Sequence, residues 1–234
     1  RNNMSSAALI RFEFCSAAGQ IEKDVEIEQV VIAGWTGRDA VALQAHIDEL
    51  AEMGIPGPQE VPMFYRTSAA HVTTANAIQV IGPDSSGEVE TFILKTGGDL
   101  WLGVGSEHTD RKAETAGITL AKQLCEKPLA NQLWPLEEVT DHLDQLILRA
   151  WMQEDGKRVL YQEGTLAEMR TSHELIDLYS KGAGLDDNTL MFGGTLAAIG
   201  GVRPSSRFEF ELEDPQLGRR IQHGYDIEEL PITG

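Results

Sequence analysis

The chain lacks most features that place a protein quickly in a class. It has two cysteines, Cys15 and Cys125, too few and too far apart for a disulfide framework and without the C-x-x-C spacing of a zinc site. Reduced, buried thiols are therefore expected. No segment approaches the roughly 18 consecutive apolar residues needed to cross a bilayer, and the start lacks the basic-then-apolar order of a secretory signal. The expectation is a cytoplasmic protein with no membrane partner. Basic residues are in the minority: 19 Lys and Arg face 37 Asp and Glu, and the formal charge of −18 repels phosphate backbones. Since no basic run carries interleaved aromatics, nucleic-acid binding is not expected. The G-x-S-x-G elbow of Ser–His–Asp hydrolases is absent, as are G-x-G-x-x-G and the Walker A loop, which leaves serine-hydrolase and phosphate-cofactor chemistry without local support.

What is present suffices for a globular core. Of the 234 residues 41% are hydrophobic, enough for one medium-sized domain or a domain with a small appendage. Arg1, Asn2 and Asn3 precede Met4, which reads as an initiator, so those three residues are expected to be additions to the natural chain. From Ala8 to Phe14 and from Val25 to Ala33, β-branched and aromatic residues alternate with polar ones around a turn at Gly19 to Lys23, which predicts an opening hairpin within residues 1–33. Asp39 then offers an N-cap, and Leu43, Ile47 and Leu50 fall at helical spacing before Gly54 and Pro56, predicting a helix from about Ala40 to Met53. On it His46 and Glu49, three apart, lie side by side.

Strands are predicted at Met63 to Thr67, Ala77 to Ile81, Val89 to Lys95, Leu100 to Val104, Gln145 to Trp151, Arg158 to Gln162 and Leu190 to Phe192, with a final pair at Arg207 to Glu213 and Arg219 to Tyr225. Helices are predicted at Thr115 to Leu124, at Glu137 to Asp144, and after a Ser172 cap from His173 to Ser180. Strands outnumber helices and short turns join them, so the expected fold is α+β and β-rich, dominated by mixed or antiparallel sheet.

Several groupings could carry chemistry, and each also has a plainer structural reading. Glu88 and Glu90 stand two apart at the start of a strand, which points both carboxylates to one face. A hard cation such as Mg²⁺ or Mn²⁺ would relieve their repulsion, although most such pairs simply face solvent. Residues Ser106 to Arg111 crowd ionisable and hydroxyl groups after a glycine-flanked strand, as active-site loops and exposed turns both do. His46 with Glu49 is an acid–base pair or a surface pair. The small-residue run Gly193-Gly194-Thr195 either lets a ligand approach backbone N–H groups, with the Thr195 hydroxyl as a further donor, or packs a sheet corner tightly. Lys122 either holds an anion or snorkels.

The order of these segments resembles the fumarylacetoacetate hydrolase superfamily from roughly Gly34 to the C-terminus. Arg38 through His46-Ile47-Asp48-Glu49 is similar to the G-R-N-Y…H-x-x-E segment of its smaller members, and Pro62 through Ser68 resembles their P-x-F-x-K-P strand. Glu88-Val89-Glu90 matches the E-x-E metal pair, Ser106 to Arg111 resembles N-D-x-[ST]-x-R with Glu107 at the third ligand, and Lys122 falls where the family keeps a lysine. Gly156, Gln162, Met169 and Leu175-Ile176 resemble V-N-G…Q…M…L-I. Gly193 to Gly200 resembles T-G-T-P-A-G-V-G, and Gly218 to Ile221 fits the closing hairpin. Four departures stand out: Glu for Asp at 107, a shorter stretch between Glu90 and Glu107, Leu196 for the proline, and Arg66 for lysine. They mark a divergent, bacterial branch.

The resemblance implies a mixed β-sandwich or β-roll with a few short helices, in which residues 34–234 form the catalytic domain, and it implies a homodimer. It further implies Mg²⁺ or Mn²⁺ on Glu88, Glu90 and Glu107, a lid dyad of His46 and Glu49, and catalytic help from Lys122. Arg38, Arg66, Gly194 and Thr195 are the implied contacts to a small oxo-acid substrate. The implied reaction is hydrolysis of a C–C bond in a β-diketo or acylpyruvate-type acid through a metal-stabilised enolate. Decarboxylation, hydration, dehydration or tautomerisation on the same metal is the alternative, and a non-catalytic oxo-acid-binding protein is a third.

Overall fold

The structure, a computed structural model, describes residues 7–52, 54 and 57–233. Met4 and the helix-end positions Met53 and Pro56 lie outside the described residues. The first half of the chain runs β1 (Ala8–Ser16), β2 (Gly19–Ile27), β3 (Gln29–Gly34), α1 (Ala40–Glu52), β4 (Met63–Thr67), β5 (Val72–Thr73), β6 (Ala77–Ile81), β7 (Ser85–Ser86), β8 (Val89–Thr96), β9 (Asp99–Ser106) and β10 (Thr109–Asp110). The second half runs α2 (Ile118–Gln123), β11 (Lys127–Pro128), β12 (Gln132–Pro135), α3 (Leu136–Val139), β13 (Ile147–Glu154), β14 (Lys157–Thr165), α4 (Ser172–Ser180), β15 (Thr189–Thr195), β16 (Arg207–Asp214) and β17 (Arg219–Leu230).

Two sheets dominate, one of eight strands in the order β2-β1-β12-β9-β8-β15-β3-β4 and one of five in the order β14-β13-β16-β17-β6. Both are mixed, because β1 with β12, β15 with β3 and β17 with β6 are parallel pairs. The expected β-rich α+β class is what the chain adopts, with a curled sheet and few short helices.

The central strands β3, β8 and β15 carry continuous apolar runs, Val30 to Ala33, Phe92 to Leu94 and Leu190 to Phe192, because both of their faces are covered there. Val30, Ile32, Phe92, Leu94, Leu190 and Phe192 point into one core. The intervening Val31, Ala33, Ile93 and Met191 point into the other, where they meet Leu148, Ala150, Phe208 and Phe210 of the five-stranded sheet. The outer face of that second sheet is charged, with Arg149 paired to Glu163, Glu211 and Glu213, so its strands keep the alternation of a half-solvated sheet.

Five expectations need correction. The hairpin turn expected at Gly19 to Lys23 lies at Ala17 and Ala18, and Gly19 to Lys23 are the first half of β2, paired with β1. The run Val25 to Ala33 is two strands: the N–H groups of Glu28 and Gln29 both turn to the Asn188 carbonyl, diverting the chain from β1 to β15 and β4. The helix expected at Thr115 to Leu124 begins at Ile118, because Gly117 at φ 156° separates it from a preceding 3-10 turn. The helix expected at Glu137 to Asp144 stops after α3 and continues as a kinked 3-10 turn through His142. The cap of α4 is Thr171, whose hydroxyl accepts from the Glu174 N–H, and Ser172 is already helical.

Candidate metal centre

Glu88 immediately precedes β8 and Glu90 lies within it, so the period of a strand directs both side chains to one side. Strand β9 pairs with β8 in the register Val89↔Ser106 and Glu90↔Gly105. One step further, the Glu107 N–H donates to the Glu88 carbonyl at 2.9 Å, which seats Glu107 opposite Glu88. Gly105 is required there, since a Cβ would stand 2.8 Å from Leu129 Cδ2 and 2.9 Å from the Pro128 carbonyl oxygen. On the other flank β15 slips register between Phe192 and Thr195. At this irregularity Gly194, at φ 101°, aims its N–H at Glu90 Oε2 over 2.9 Å. The outcome is three carboxylates, one oxygen of each lying within 4.8 Å of the others.

These carboxylates are largely withdrawn from water, with Glu107 0% and Glu90 3% exposed. Burial would raise the Glu107 carboxyl, but the ammonium groups of Lys122 and Lys127 outweigh it and hold the group at about 2. Lys122 Nζ bonds Glu107 Oε2, and Lys127 Nζ lies 2.9 Å from Oε1 as an ion pair outside hydrogen-bond geometry. Glu88 has the Arg111 guanidinium at 2.9 Å. Among the described residues Glu90 receives only the Gly194 N–H in direct contact. Burial, followed by the charges of Glu107 and Glu88, pushes its carboxyl well above the usual range.

The donor set fits a divalent ion on two counts. Mg²⁺ and Ca²⁺ take carboxylate oxygens at about 2.0–2.6 Å, so ligand atoms of one ion stand no more than about 5 Å apart. Among the described residues Glu90 also has no ion pair, unlike its two neighbours, and a divalent ion would supply the positive charge.

Beside the cluster, the Lys122 ammonium lies 5.8 Å from the centroid of the Tyr65 ring. His108 is fully buried, with Nδ1 2.8 Å from the Tyr225 hydroxyl and Nε2 2.8 Å from Ser85 Oγ. Burial, and then Lys127 and Arg111, drop it to about 3, which keeps the ring neutral. Gln162 accepts from the Val89 N–H at 3.0 Å and donates to Thr195 Oγ1 at 2.8 Å, tying β14 to the turn beside Glu90.

The other expected site residues have different partners. Thr195 donates its hydroxyl to the Val89 carbonyl at 2.8 Å, so in this structure it braces the bulge. Arg38 forms a bidentate pair with Asp144 at 2.8 Å through both guanidinium arms. Arg66 is exposed on β4 and donates to the Val30 carbonyl at 3.3 Å. His46 and Glu49 stand 3.9 Å apart on α1, a helix that buries none of its residues, and both are exposed to water. The structure therefore brings together Glu88, Glu90, Glu107, Lys122 and Gly194, and leaves His46, Glu49, Arg38 and Arg66 outside that contact set.

Sequence reasoning gave no role to Arg111 or Lys127. Arg111 sat within the crowded loop, whereas nothing in the run Glu126-Lys127-Pro128 marks a fully buried lysine.

The DUF2848 family model, described as a protein of unknown function, matches residues 33–225. No curated protein matches the chain in sequence. Among solved structures, a protein from Oleispira antarctica assigned as a fumarylacetoacetate isomerase/hydrolase superposes with a TM-score of 0.64 at 17% identity, over 92% of this chain and 99% of its own. A yeast fumarylacetoacetate hydrolase family protein gives 0.62 at 17%, over 88% and 94% of the two chains. A 2-keto-3-deoxy-D-arabinonate dehydratase complexed with magnesium and 2,5-dioxopentanoate gives 0.63 at 12%, over 90% and 77%. At these identities the likeness establishes the fold.

Proposed function

The chain belongs to the DUF2848 family, and from that premise we propose that it is a Mg²⁺- or Mn²⁺-dependent enzyme acting on a small oxo acid, with hydrolysis of a C–C bond as the leading reaction. One observation carries the reading: a largely buried Glu88–Glu90–Glu107 cluster in which one carboxylate has no ion pair among the described residues, with the Lys122 ammonium at its edge. The structural neighbour that holds magnesium together with 2,5-dioxopentanoate, an acid carrying two further carbonyl groups, supports it.

Glu88, Glu90 and Glu107 would hold the ion, which supplies Lewis-acid polarisation of the substrate carbonyl and positive charge where electrons accumulate as the bond breaks. Among the described residues Lys122 has only one carboxylate partner, so its remaining N–H groups are available to the anionic end of the acid. Gln162 and Thr195 keep the Gly194 N–H on Glu90 and so orient that carboxylate. Burial strengthens each of these charge interactions relative to water.

In the hydrolase reading His46, oriented by Glu49, takes the proton of the attacking water, which requires α1 to fold over the cluster. His46→Ala should then reduce turnover by about 10²-fold or more, and turnover at the parent rate would remove the dyad. The exposed placement of His46 favours a second reading, a lyase or dehydratase that needs no activated water.

A panel of acylpyruvates, oxaloacetate and 3-deoxy-2-oxo sugar acids, incubated with the Mg²⁺- and Mn²⁺-loaded protein and read by mass spectrometry, separates the two. Two cleavage fragments, one of them a carboxylic acid that has gained an oxygen from water, indicate the hydrolase, and loss of water or CO₂ indicates the lyase. No product from any member, with metal bound, overturns the enzyme reading.

A further inference from the structure

Lys127 has no part in the chemistry above, yet it is one of the largest fully buried side chains. Its ammonium pairs with Glu107 Oε1 at 2.9 Å, donates to the Lys122 carbonyl at 2.6 Å and donates again to the His108 carbonyl. The two carbonyls take two of the ammonium's three N–H bonds, and the Glu107 carboxylate offsets its charge as an ion pair. With 0% of its side chain exposed, Lys127 has no open side from which to meet a substrate.

Lys122, on the other oxygen of the same carboxylate, is built differently. Its side chain is 10% exposed, and Glu107 is its only ion-pair partner among the described residues. One carboxylate therefore holds two cations, of which one keeps a partly exposed side chain and the other is fully buried and held by two backbone carbonyls.

A locked positive charge in contact with a prospective ligand has a definite consequence. It holds the carboxylate in place before any ion arrives, and it repels an ion that binds there, because unit charges a few ångströms apart inside a protein interact far more strongly than in water. Resting on the metal reading above, we propose that Lys127 is a fixed counter-charge to Glu107, a positioning residue that pre-sets the third ligand and lowers the affinity of the site for its divalent ion, keeping that ion exchangeable.

Mn²⁺ titration of chelator-treated wild type, Lys127→Gln and Lys127→Met by calorimetry tests this, with circular dichroism melting to confirm folding. The glutamine retains hydrogen-bonding groups for the two carbonyls and the methionine fills the volume, so the variants fail differently if packing is the issue. Removal of the charge should tighten Mn²⁺ binding by about tenfold or more, and Lys127→Arg should remain closer to wild type than either. A purely structural role predicts the opposite, equal or weaker binding, since a loosened Glu107 is a poorer ligand. A folded variant with equal or weaker affinity overturns the proposal, as does failure of both neutral variants to fold. If wild type itself binds neither Mn²⁺ nor Mg²⁺, the metal reading falls first. Wild-type binding without tightening in the variants removes only the role of Lys127.

Discussion

Glu88 and Glu107 sit opposite each other at the end of a strand pair, a placement of like charges that sheets disfavour. Each of these two carboxylates has a cation in ion-pair contact, while Glu90 has none among the described residues. Glu90→Gln therefore separates fold from ligation. The amide keeps an acceptor for the Gly194 N–H and resembles the neutral acid that burial favours, so the metal-free variant should melt close to wild type. Its Mn²⁺ affinity should fall by on the order of 100-fold, since the loss of outer-shell contacts alone reaches about 10–100-fold. Affinity equal to wild type in a calorimetric titration would remove Glu90 from the ligand set. Gly194→Ala tests the cradle itself. A Cβ there would lie 1.8 Å from Thr36 Oγ1 at φ 101°, a backbone region unfavourable to alanine, so urea unfolding should show a loss of about 2 kcal/mol or more. The E-x-E pair was legible because strand period alone puts both carboxylates on one face. Lys127 was not, because its burial follows from the two-residue pairing of β11 with β5, which no periodicity announces.

At the level of elements, legibility followed the number of residues that repeat a pattern. Strands β4, β6, β8, β9 and β16 lie within a residue or two of their expected bounds, each carrying several alternating or continuously apolar positions. The two-residue strands β7 and β10, which flank the site, have no pattern to read. Helix α1 was visible from its Leu43, Ile47 and Leu50 stripe, although that stripe is only half-buried. With so little tertiary support its stability rests on local terms, among them the Asp39 carboxylate accepting from the N–H groups of Val41 at 2.9 Å and Ala42 at 3.1 Å. Asp39→Ala should cost α1 about 1 kcal/mol, seen as faster amide exchange confined to residues 40–52 with an unchanged global melt. A melt lowered in step would show that α1 unfolds only with the rest.

The β16–β17 turn gives a pH test. Asp214 is fully buried and accepts from His142 at 3.0 Å and from the N–H groups of Gln216 and Leu217 at 3.1 Å. Burial opposes its charge, but the hydrogen bonds from His142 and Leu217 prevail and hold the carboxyl below its usual range. A depressed carboxyl stabilises the fold fully above its unfolded value of about 3.9, and that contribution disappears as pH falls through the folded value. Asp214→Asn should thus lose about 1–3 kcal/mol at pH 7, and the gap to wild type should narrow below about pH 4. A gap independent of pH would assign the loss to packing.

Across the whole molecule, the order of weak motifs carried more information than any one of them, and it pointed to a fold that the superpositions bear out. The reaction was less legible, because hydrolysis and elimination on such a site differ in where a water can stand, and the shape of a pocket is not written in spacing. The net charge of −18 adds a complication, since any cation stabilises so acidic a chain by screening its self-repulsion. A specific site behaves differently. An ion bound only by the folded state at 100 times its Kd adds about 2.7 kcal/mol, which for a chain of this length raises the melting temperature by roughly 5–10 °C. Mg²⁺ or Mn²⁺ should give that shift in wild type and a much smaller one in Glu90→Gln, whereas sodium chloride at matched ionic strength should move the two proteins alike. A divalent shift of the same size in both proteins would mean that the ion acts on the charge of the whole surface and that the carboxylate cluster holds no metal.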